Sequence, residues 1–219
     1  SEEAWMRARL EGEGALLARL AGRGAPRLVA QGQDAAGPWI VMERVGWGSL
    51  EARTGGVDAA WVGRATRAAF AALEAVHAQG IVHGDVSPGN VLAADDGARA
   101  VLVDFGLALG PGMPAMPPGP FRGTLAYAAP EVARGEPCCA RADLFAMAAT
   151  LLHVASGEPP RRAPTGAAML LSAAEVPIEP WASGAANGLD LTTARALVAC
   201  CAFDPALRPD HLGAALAVP

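Results

Sequence analysis

The sequence lacks lysine and any block of like charges. All 17 basic residues among the 219 are arginine, and the formal net charge is −5. The one notable basic cluster, Arg161-Arg162, is predicted to lie in an exposed loop. Because nucleic-acid binding depends largely on a basic surface, this charge pattern gives such a role little support and predicts no nucleic-acid partner.

Long apolar runs and metal-type cysteine spacing are also missing. The longest strongly apolar run, 144–155, is too short to cross a bilayer, so no membrane span is expected. The chain has no charged-then-apolar leader and begins at Ser1 in a helical pattern, so we expect its natural N-terminus to lie upstream. The four cysteines form two adjacent pairs, Cys138-Cys139 and Cys200-Cys201, which indicate buried, reduced thiols in a cytoplasmic protein.

What the sequence does contain is typical of a compact globular protein. Hydrophobic residues make up 52% of the chain and charged residues 18%, a balance that excludes a disordered chain. Aromatic residues are only 5%, so the core must be mainly aliphatic. A chain of this length can bury a sizeable core and form one large domain or two small lobes.

Hydrophobic periodicity predicts an α+β chain with a small strand-bearing first part and a larger helical remainder. The Gly-punctuated segment 46–56 is the best candidate for a boundary between two lobes. The segment 110–120, rich in Pro and Gly, is predicted to be a mobile loop. The predicted helices are 2–21, 58–80, 142–156, 190–202 and 210–217, and the predicted strands are 27–30, 39–45, 81–82, 91–92 and 100–103.

Three polar residues stand where phosphoryl-transfer chemistry would need them. Asp85 and Asn90 lie on one loop, and Asp104 follows the next predicted hairpin. Because that hairpin can return Asp104 beside Asn90, the two side chains could hold Mg²⁺ through oxygen atoms. Asp85, just outside this pair, could orient an incoming hydroxyl and accept its proton. Two surface turns rich in Asp and Gly are the alternative interpretation.

The order of these motifs resembles that of the protein kinase family over essentially the whole chain. The stretch from His83-Gly84-Asp85 through Asn90 resembles the family's catalytic loop. Asp104-Phe105-Gly106 resembles its metal-binding turn, and Ala129-Pro130-Glu131 the end of its activation segment. The resemblance implies a two-lobed fold that uses ATP and Mg²⁺, with Asn90 and Asp104 as the metal ligands.

Further positions match the same family. The segment 123–127 resembles the part that receives the protein substrate, with Thr124 supporting the loop near Asp85. Asp143, at the start of a buried helix, resembles the Asp that holds the catalytic loop from below. Arg208 resembles the Arg that pairs with the Glu at the end of the activation segment, here Glu131.

The resemblance also implies a nucleotide pocket. Met42-Glu43-Arg44-Val45 resembles the hinge that binds adenine through backbone groups of Glu43 and Val45, with Met42 at the rear of the pocket. Leu92 would form the floor beneath the adenine. Glu13 resembles the Glu of the family's mobile helix, which pairs with a strand lysine. Core packing for the apolar residues and an exposed helix charge for Glu13 are the alternatives.

Departures from the family pattern bear on activity. The Gly-rich loop and the strand with the phosphate-binding lysine would precede Ser1. Gly84 replaces the Arg that reads a phosphorylated activation segment, and residues 105–123 contain no Ser, Thr or Tyr. Ser87 stands where Ser/Thr-specific members carry a lysine that contacts the γ-phosphate. The usual phosphorylation switch is therefore not expected.

The sequence therefore predicts a protein-kinase-like α+β fold with a truncated N-terminal lobe and a mainly helical C-terminal lobe. The expected boundaries are 1–45 for the partial N-lobe, 46–57 for the hinge and 58–219 for the C-lobe. The favoured function is ATP-dependent phosphoryl transfer to Ser or Thr of a protein substrate, in a chain of bacterial type. A catalytically impaired scaffold module is the main alternative, and a small-molecule phosphotransferase is a weaker one.

Overall fold

The computed structural model describes residues 2–117, 119–178 and 189–216. Its first part consists of helix α1 (Glu2–Leu20) packed on an antiparallel pair, β1 (Leu28–Asp34) and β2 (Gly37–Met42). The helix and the paired strands confirm the predicted elements. Leucines of the second half of α1, at positions 16, 17 and 20, are buried in the core.

A second small sheet lies between this part and the helical remainder. It contains β3 (Gly48–Ser49), β4 (Val91–Ala93) and β5 (Ala100–Leu102) in the order β3-β4-β5, all antiparallel. The segment 46–56, which was predicted to be a connector because of its glycines, thus contains a short strand. Two strand predictions were wrong in extent, because β2 ends at Met42 rather than Val45 and Val82 forms only an isolated bridge with Leu109.

The remainder of the described chain is mostly helical. Asp58 caps α2, as predicted, by accepting a hydrogen bond from the backbone N–H of Trp61 at 2.6 Å. The helix α5 was not predicted, because its apolar residues follow a Pro-rich loop without a clear helical period. The helices are α2 (Ala59–His77), α3 (Pro130–Ala133), α4 (Ala140–Ser156), α5 (Gly166–Glu175), α6 (Leu191–Cys200) and α7 (Leu212–Leu216).

Helix α4 is the centre of the core. It packs against α2 and α6, and nearly every side chain from Ala142 to Leu152 is buried. Its sequence is apolar on all sides, which is the pattern of a helix enclosed by protein. The α+β fold predicted from the sequence is therefore confirmed: a small antiparallel first part precedes a mostly helical one. Within the described residues, no helix has both the length and the apolar content that crossing a bilayer requires.

Two predictions about surface and core need correction. Arg161 is not in an exposed position: it is 6% exposed, and its Nη1 donates to the carbonyl of Ala128 at 2.9 Å. Among the four cysteines, all of which are described and free, Cys200 is buried but Cys139 is exposed. A sequence pattern cannot separate these cases, because arginine and cysteine occur in both environments depending on their neighbours.

Arg208 and Glu131 form the buried ion pair that the sequence predicted. Nη1 and Nη2 of Arg208 donate to the two carboxylate oxygens of Glu131 at 2.6 and 2.7 Å, and the two side chains are 0% and 4% exposed. The remaining N–H groups of Arg208 donate to carbonyls of Arg141, Ala202 and Phe203. Every donor of this guanidinium is thus satisfied, which is the condition for burying a charge without a large penalty.

We expect Arg208→Ala to destabilise the fold by about 3–5 kcal/mol, because it leaves the Glu131 carboxylate buried without a partner. In a chain of this size that loss lowers the Tm by roughly 10 °C. Arg162→Ala is the matched control, since Arg162 pairs with Glu158 on the surface. Thermal unfolding followed by circular dichroism measures both, and equal Tm values for the two variants would contradict the assignment.

Candidate active site

Asp143 supports the loop that contains Asp85. Its carboxylate is 1% exposed and accepts hydrogen bonds from the backbone N–H of His83 at 2.7 Å and of Gly84 at 2.9 Å. The ring of His77 lies 2.9 Å from the same carboxylate. Helix α4 therefore fixes the backbone immediately before Asp85, which confirms the position predicted for Asp143 beneath the loop.

The Asp85 carboxylate is held by two separate segments. Its Oδ1 accepts a hydrogen bond from the backbone N–H of Thr124 at 2.8 Å, and its Oδ2 accepts one from Asn90 Nδ2 at 3.2 Å. Asn90 Nδ2 also donates to the carbonyl of Asp85 at 2.9 Å. The predicted support from Thr124 thus comes through its main chain, while the hydroxyl of Thr124 has no assigned part.

Asn90 and Asp104 are brought together by the β4–β5 hairpin. Val91 pairs with Leu102, and the N–H of Val103 donates to the carbonyl of Asn90 at 3.0 Å, so Asp104 follows directly beside Asn90. With Nδ2 of Asn90 engaged by Asp85, its side-chain carbonyl oxygen remains as a ligand. An amide oxygen and a carboxylate form a donor set that suits Mg²⁺, which keeps waters and phosphate oxygens as its other ligands.

No larger metal cluster competes with this pair in the part of the chain that the structure describes, where no three His, Cys, Asp or Glu side chains converge on one point. Asp104 adopts a left-handed backbone with φ of 62°, which is uncommon for a residue with a side chain. Such strain persists only where neighbouring groups hold it, and it is concentrated at functional sites.

Glu13 contacts the turn that contains Asp104. It is 9% exposed, and its Oε1 accepts a hydrogen bond from the backbone N–H of Phe105 at 3.2 Å. Burial raises the pKa of Glu13, with a further contribution from Asp104, while the Phe105 bond and Arg9 act in the opposite direction. The carboxylate therefore contacts the turn itself, and the lysine that the family pairs with it is not among these 219 residues.

Sequence reasoning missed Arg9. One helical turn before Glu13, this side chain is 4% exposed and donates to carbonyls of the segment after Asp104. A charged residue in an amphipathic helix is ordinarily assigned to the solvent face. Its spacing of four from Glu13 was the available signal, because residues at i and i+4 share one face of a helix.

Arg9, Glu13, Asp85 and Asp104 line a polar cleft of about 540 Å³, together with residues of α1 and of the segments 106–107 and 122–124; Asn90 is not among the lining residues. Asp85 and Asp104 contribute carboxylates, and Arg122 contributes a guanidinium that stacks 4.9 Å from the ring centre of Trp5. The cleft therefore combines acidic groups for a cation or a hydroxyl with a basic group at its rim.

The predicted adenine-contacting residues lie outside the lining of that cleft. Glu43 donates its N–H to the carbonyl of Arg27 at 2.8 Å, so of its backbone groups the carbonyl remains for a base. Met42 ends β2 and Val45 follows in the connector, both half-buried. Leu92 is the middle residue of β4, between Ser49 and Val101. Their roles in nucleotide binding remain predictions.

Ser87 is 5% exposed, and its carbonyl accepts the N–H of Asn90 at 3.0 Å. This contact places Ser87 in the turn that presents Asn90, but it gives the hydroxyl no phosphate-directed role. Contact between Ser87 and a γ-phosphate therefore also remains a prediction.

Gly84 is required by the local backbone. Its φ is 81°, and a Cβ at this position would lie 2.7 Å from the carbonyl oxygen of Leu107. Any other residue would combine a left-handed conformation with a steric clash. The main-chain path at this position therefore leaves no room for the Arg that the family carries here.

The segment after Thr124 is anchored to the helical part by Tyr127 and Arg161. Burial raises the pKa of Tyr127 to about 12 and lowers that of His153, and the Tyr127 hydroxyl lies 2.7 Å from His153 Nδ1, within hydrogen-bond distance. Burial also lowers the pKa of Arg161 to about 10, and its Nη1 bond to Ala128 fixes the main chain just beyond. These contacts hold the segment against α4 and the loop that follows it.

Comparison with known proteins agrees with this geometry. A family model described as the protein kinase domain matches residues 3–210. The serine/threonine-protein kinase PknJ of Mycobacterium tuberculosis is 33% identical over 198 residues, covering 86% of this chain and 34% of PknJ. The DNA damage-responsive serine/threonine-protein kinase RqkA of Deinococcus radiodurans is 50% identical over 99 residues, covering 43% of this chain and 15% of RqkA.

The chain spans about a third of the length of PknJ. The residues that the family model matches, 3–210, include the Asp85 loop, the turn at 104–106 and the Glu131–Arg208 ion pair. The chain belongs to the protein kinase family.

Proposed function

We propose that this chain is the catalytic region of a bacterial-type protein kinase that transfers the γ-phosphoryl group of ATP to Ser or Thr of a protein substrate. The observation that carries the proposal is the Asp85 carboxylate, fixed by Thr124 N–H and by the Asn90 amide at the edge of a cleft that Asp104 also lines. The serine/threonine kinases among its relatives support the choice of substrate hydroxyl.

In this mechanism Asp85 orients the substrate hydroxyl and accepts its proton as the oxygen attacks the γ-phosphorus, while the bond to the β,γ-bridging oxygen breaks and ADP leaves. Asn90 and Asp104 would hold Mg²⁺, which when bound neutralises charge on the phosphate oxygens. The Asn90 amide keeps the Asp85 carboxylate turned toward the cleft. Glu13 and Arg9 hold the backbone that presents Asp104. Positioning and charge supply most of the catalysis in this class of reaction.

The proposed substrate, cellular compartment and partners follow from features of the same chain. The segment 124–128 would receive an extended protein segment beside Asp85, with Arg122 at its edge. The free thiols fit a reducing cytoplasm. The acidic net charge favours proteins rather than nucleic acids as partners.

Asp85→Asn should lower phosphate transfer by roughly 10²–10⁴-fold, because Asn cannot accept the proton of the hydroxyl. The measurement is transfer of radiolabelled phosphate from ATP to Ser- and Thr-containing proteins, made on the complete gene product and on the 219-residue chain. Asp96→Asn is the matched control, since Asp96 is an exposed turn residue of the β4–β5 hairpin. Equal activity in the two variants would remove Asp85 from the mechanism.

A scaffold function is the second candidate, and the absence of lysine favours it. The lysine of the family contacts the α- and β-phosphates, and these 219 residues contain no lysine. We therefore expect the 219-residue chain alone to bind Mg-ATP weakly and to transfer phosphate very slowly or not at all. Calorimetric titration with Mg-ATP tests this expectation. No transfer by a complete gene product that does contain the lysine would favour the scaffold.

Activity of the complete protein should not depend on phosphorylation of its activation segment. Gly84 has no side chain to pair with a phosphate, and residues 105–123 contain no hydroxyl group. Phosphatase treatment followed by the transfer assay should leave the rate unchanged within about twofold. A large loss of activity that tracks a phosphate on Thr124 or Tyr127, identified by mass spectrometry, would be the contrary result.

A further inference from the structure

The guanidinium of Arg9 is buried against the main chain of the activation segment. Its Nε and Nη2 donate to the carbonyl of Gly106 at 3.0 and 2.7 Å, and Nη2 also donates to that of Ala108 at 2.8 Å. Its Nη1 donates to the carbonyl of Pro114 at 3.1 Å. A single side chain thus joins α1 to three separate peptide groups, using the rigid fork of donors that only arginine provides.

Glu13 completes this contact from the same face of α1. Its Oε1 accepts the N–H of Phe105, while Arg9 takes the carbonyl of Gly106. The two side chains therefore hold a donor and an acceptor of adjacent residues, directly after Asp104. Because the left-handed backbone of Asp104 is unfavourable by itself, it needs support of this kind from outside the turn.

The rest of the helix face continues the contact. Trp5 Nε1 donates to the carbonyl of Ala115 at 3.0 Å. The side chain of Met113 packs closely on Gly12, since a Cβ there would lie 2.6 Å from the Met113 sulfur. The first half of the activation segment is thus fastened by carbonyl-directed hydrogen bonds from α1.

We propose that Arg9 is a positioning residue for the phosphoryl-transfer reaction. It holds the metal-binding turn and residues 106–115 in their working arrangement through main-chain carbonyls, in a chain whose sequence offers neither a phosphate on that segment nor an Arg at position 84 to bind one. This role deepens the proposed function and rests on it. The contact itself can be tested without any catalytic activity.

The test is hydrogen–deuterium exchange of the 219-residue chain, read by mass spectrometry, for Arg9→Gln, Arg9→Lys and Arg7→Gln. Arg7 is the matched control, because it lies on the same helix but forms only a surface pair with Glu3. Arg9→Gln should speed exchange of residues 105–115 by roughly tenfold or more and leave α4 unchanged. Arg9→Lys should show a smaller, local increase, because one ammonium cannot satisfy carbonyls in the geometry of the fork.

The second readout is the Mg²⁺ concentration at half-maximal nucleotide binding, measured on the complete gene product with fluorescent ATP. It should rise several-fold in Arg9→Gln and stay constant in Arg7→Gln, since only the former loosens Asp104. Exchange at 105–115 that is the same in Arg9→Gln and Arg7→Gln overturns the proposal. If Arg9→Gln does not fold, Arg9→Lys decides, and exchange identical to that of the unaltered chain overturns it. If the unaltered complete gene product does not bind the nucleotide, the proposed function is contradicted. The exchange result would still test the contact made by Arg9.

Discussion

The arrangement of the site depends on one buried carboxylate. Asp143 is almost entirely enclosed, and its charge is tolerable only because the N–H groups of His83 and Gly84 and the ring of His77 bond to it. Because Asp143 belongs to the central helix α4, its hydrogen bonds attach the catalytic loop to the core. Asp85 is the next residue, so the helix beneath fixes the backbone from which the proposed base projects, while Thr124 and Asn90 hold its carboxylate.

Buried arginine side chains anchor the activation segment in this chain, which contains no lysine. Arg208, Arg161 and Arg9 each lie in the protein interior and each donate to main-chain carbonyls. A guanidinium has five donors in one plane, so it can serve several peptide groups at once, whereas an ammonium is a compact point charge. The activation segment is consequently anchored at its beginning by Arg9 and near its end by Arg161, and Arg208 fastens Glu131 at the terminus.

The sequence was sufficient for those features that follow from local pattern or from motif order. The capped helix α2, the apolar helix α4, the β4–β5 hairpin and the Arg208–Glu131 pair were all predicted, because each leaves a periodic or spaced signal. The residues that were missed depend on tertiary neighbours. Arginine usually lies on the protein surface, so no sequence pattern marks Arg9 or Arg161 as buried. Only the fold shows which carbonyls surround them. Likewise, β3 is a two-residue strand that exists because β4 lies beside it, not because its own residues favour it.

The close approach of Gly84 to Leu107 has a consequence for how this protein could change over time. Restoring an arginine at position 84 would not by itself restore a phosphate-reading site, because the Leu107 carbonyl occupies the space that its Cβ needs. The path of residues 106–108 would have to shift first, and that path is held by Arg9. A phosphate-binding Arg at position 84 would therefore require a change at α1 as well, far along the chain from the residue that would bind the phosphate.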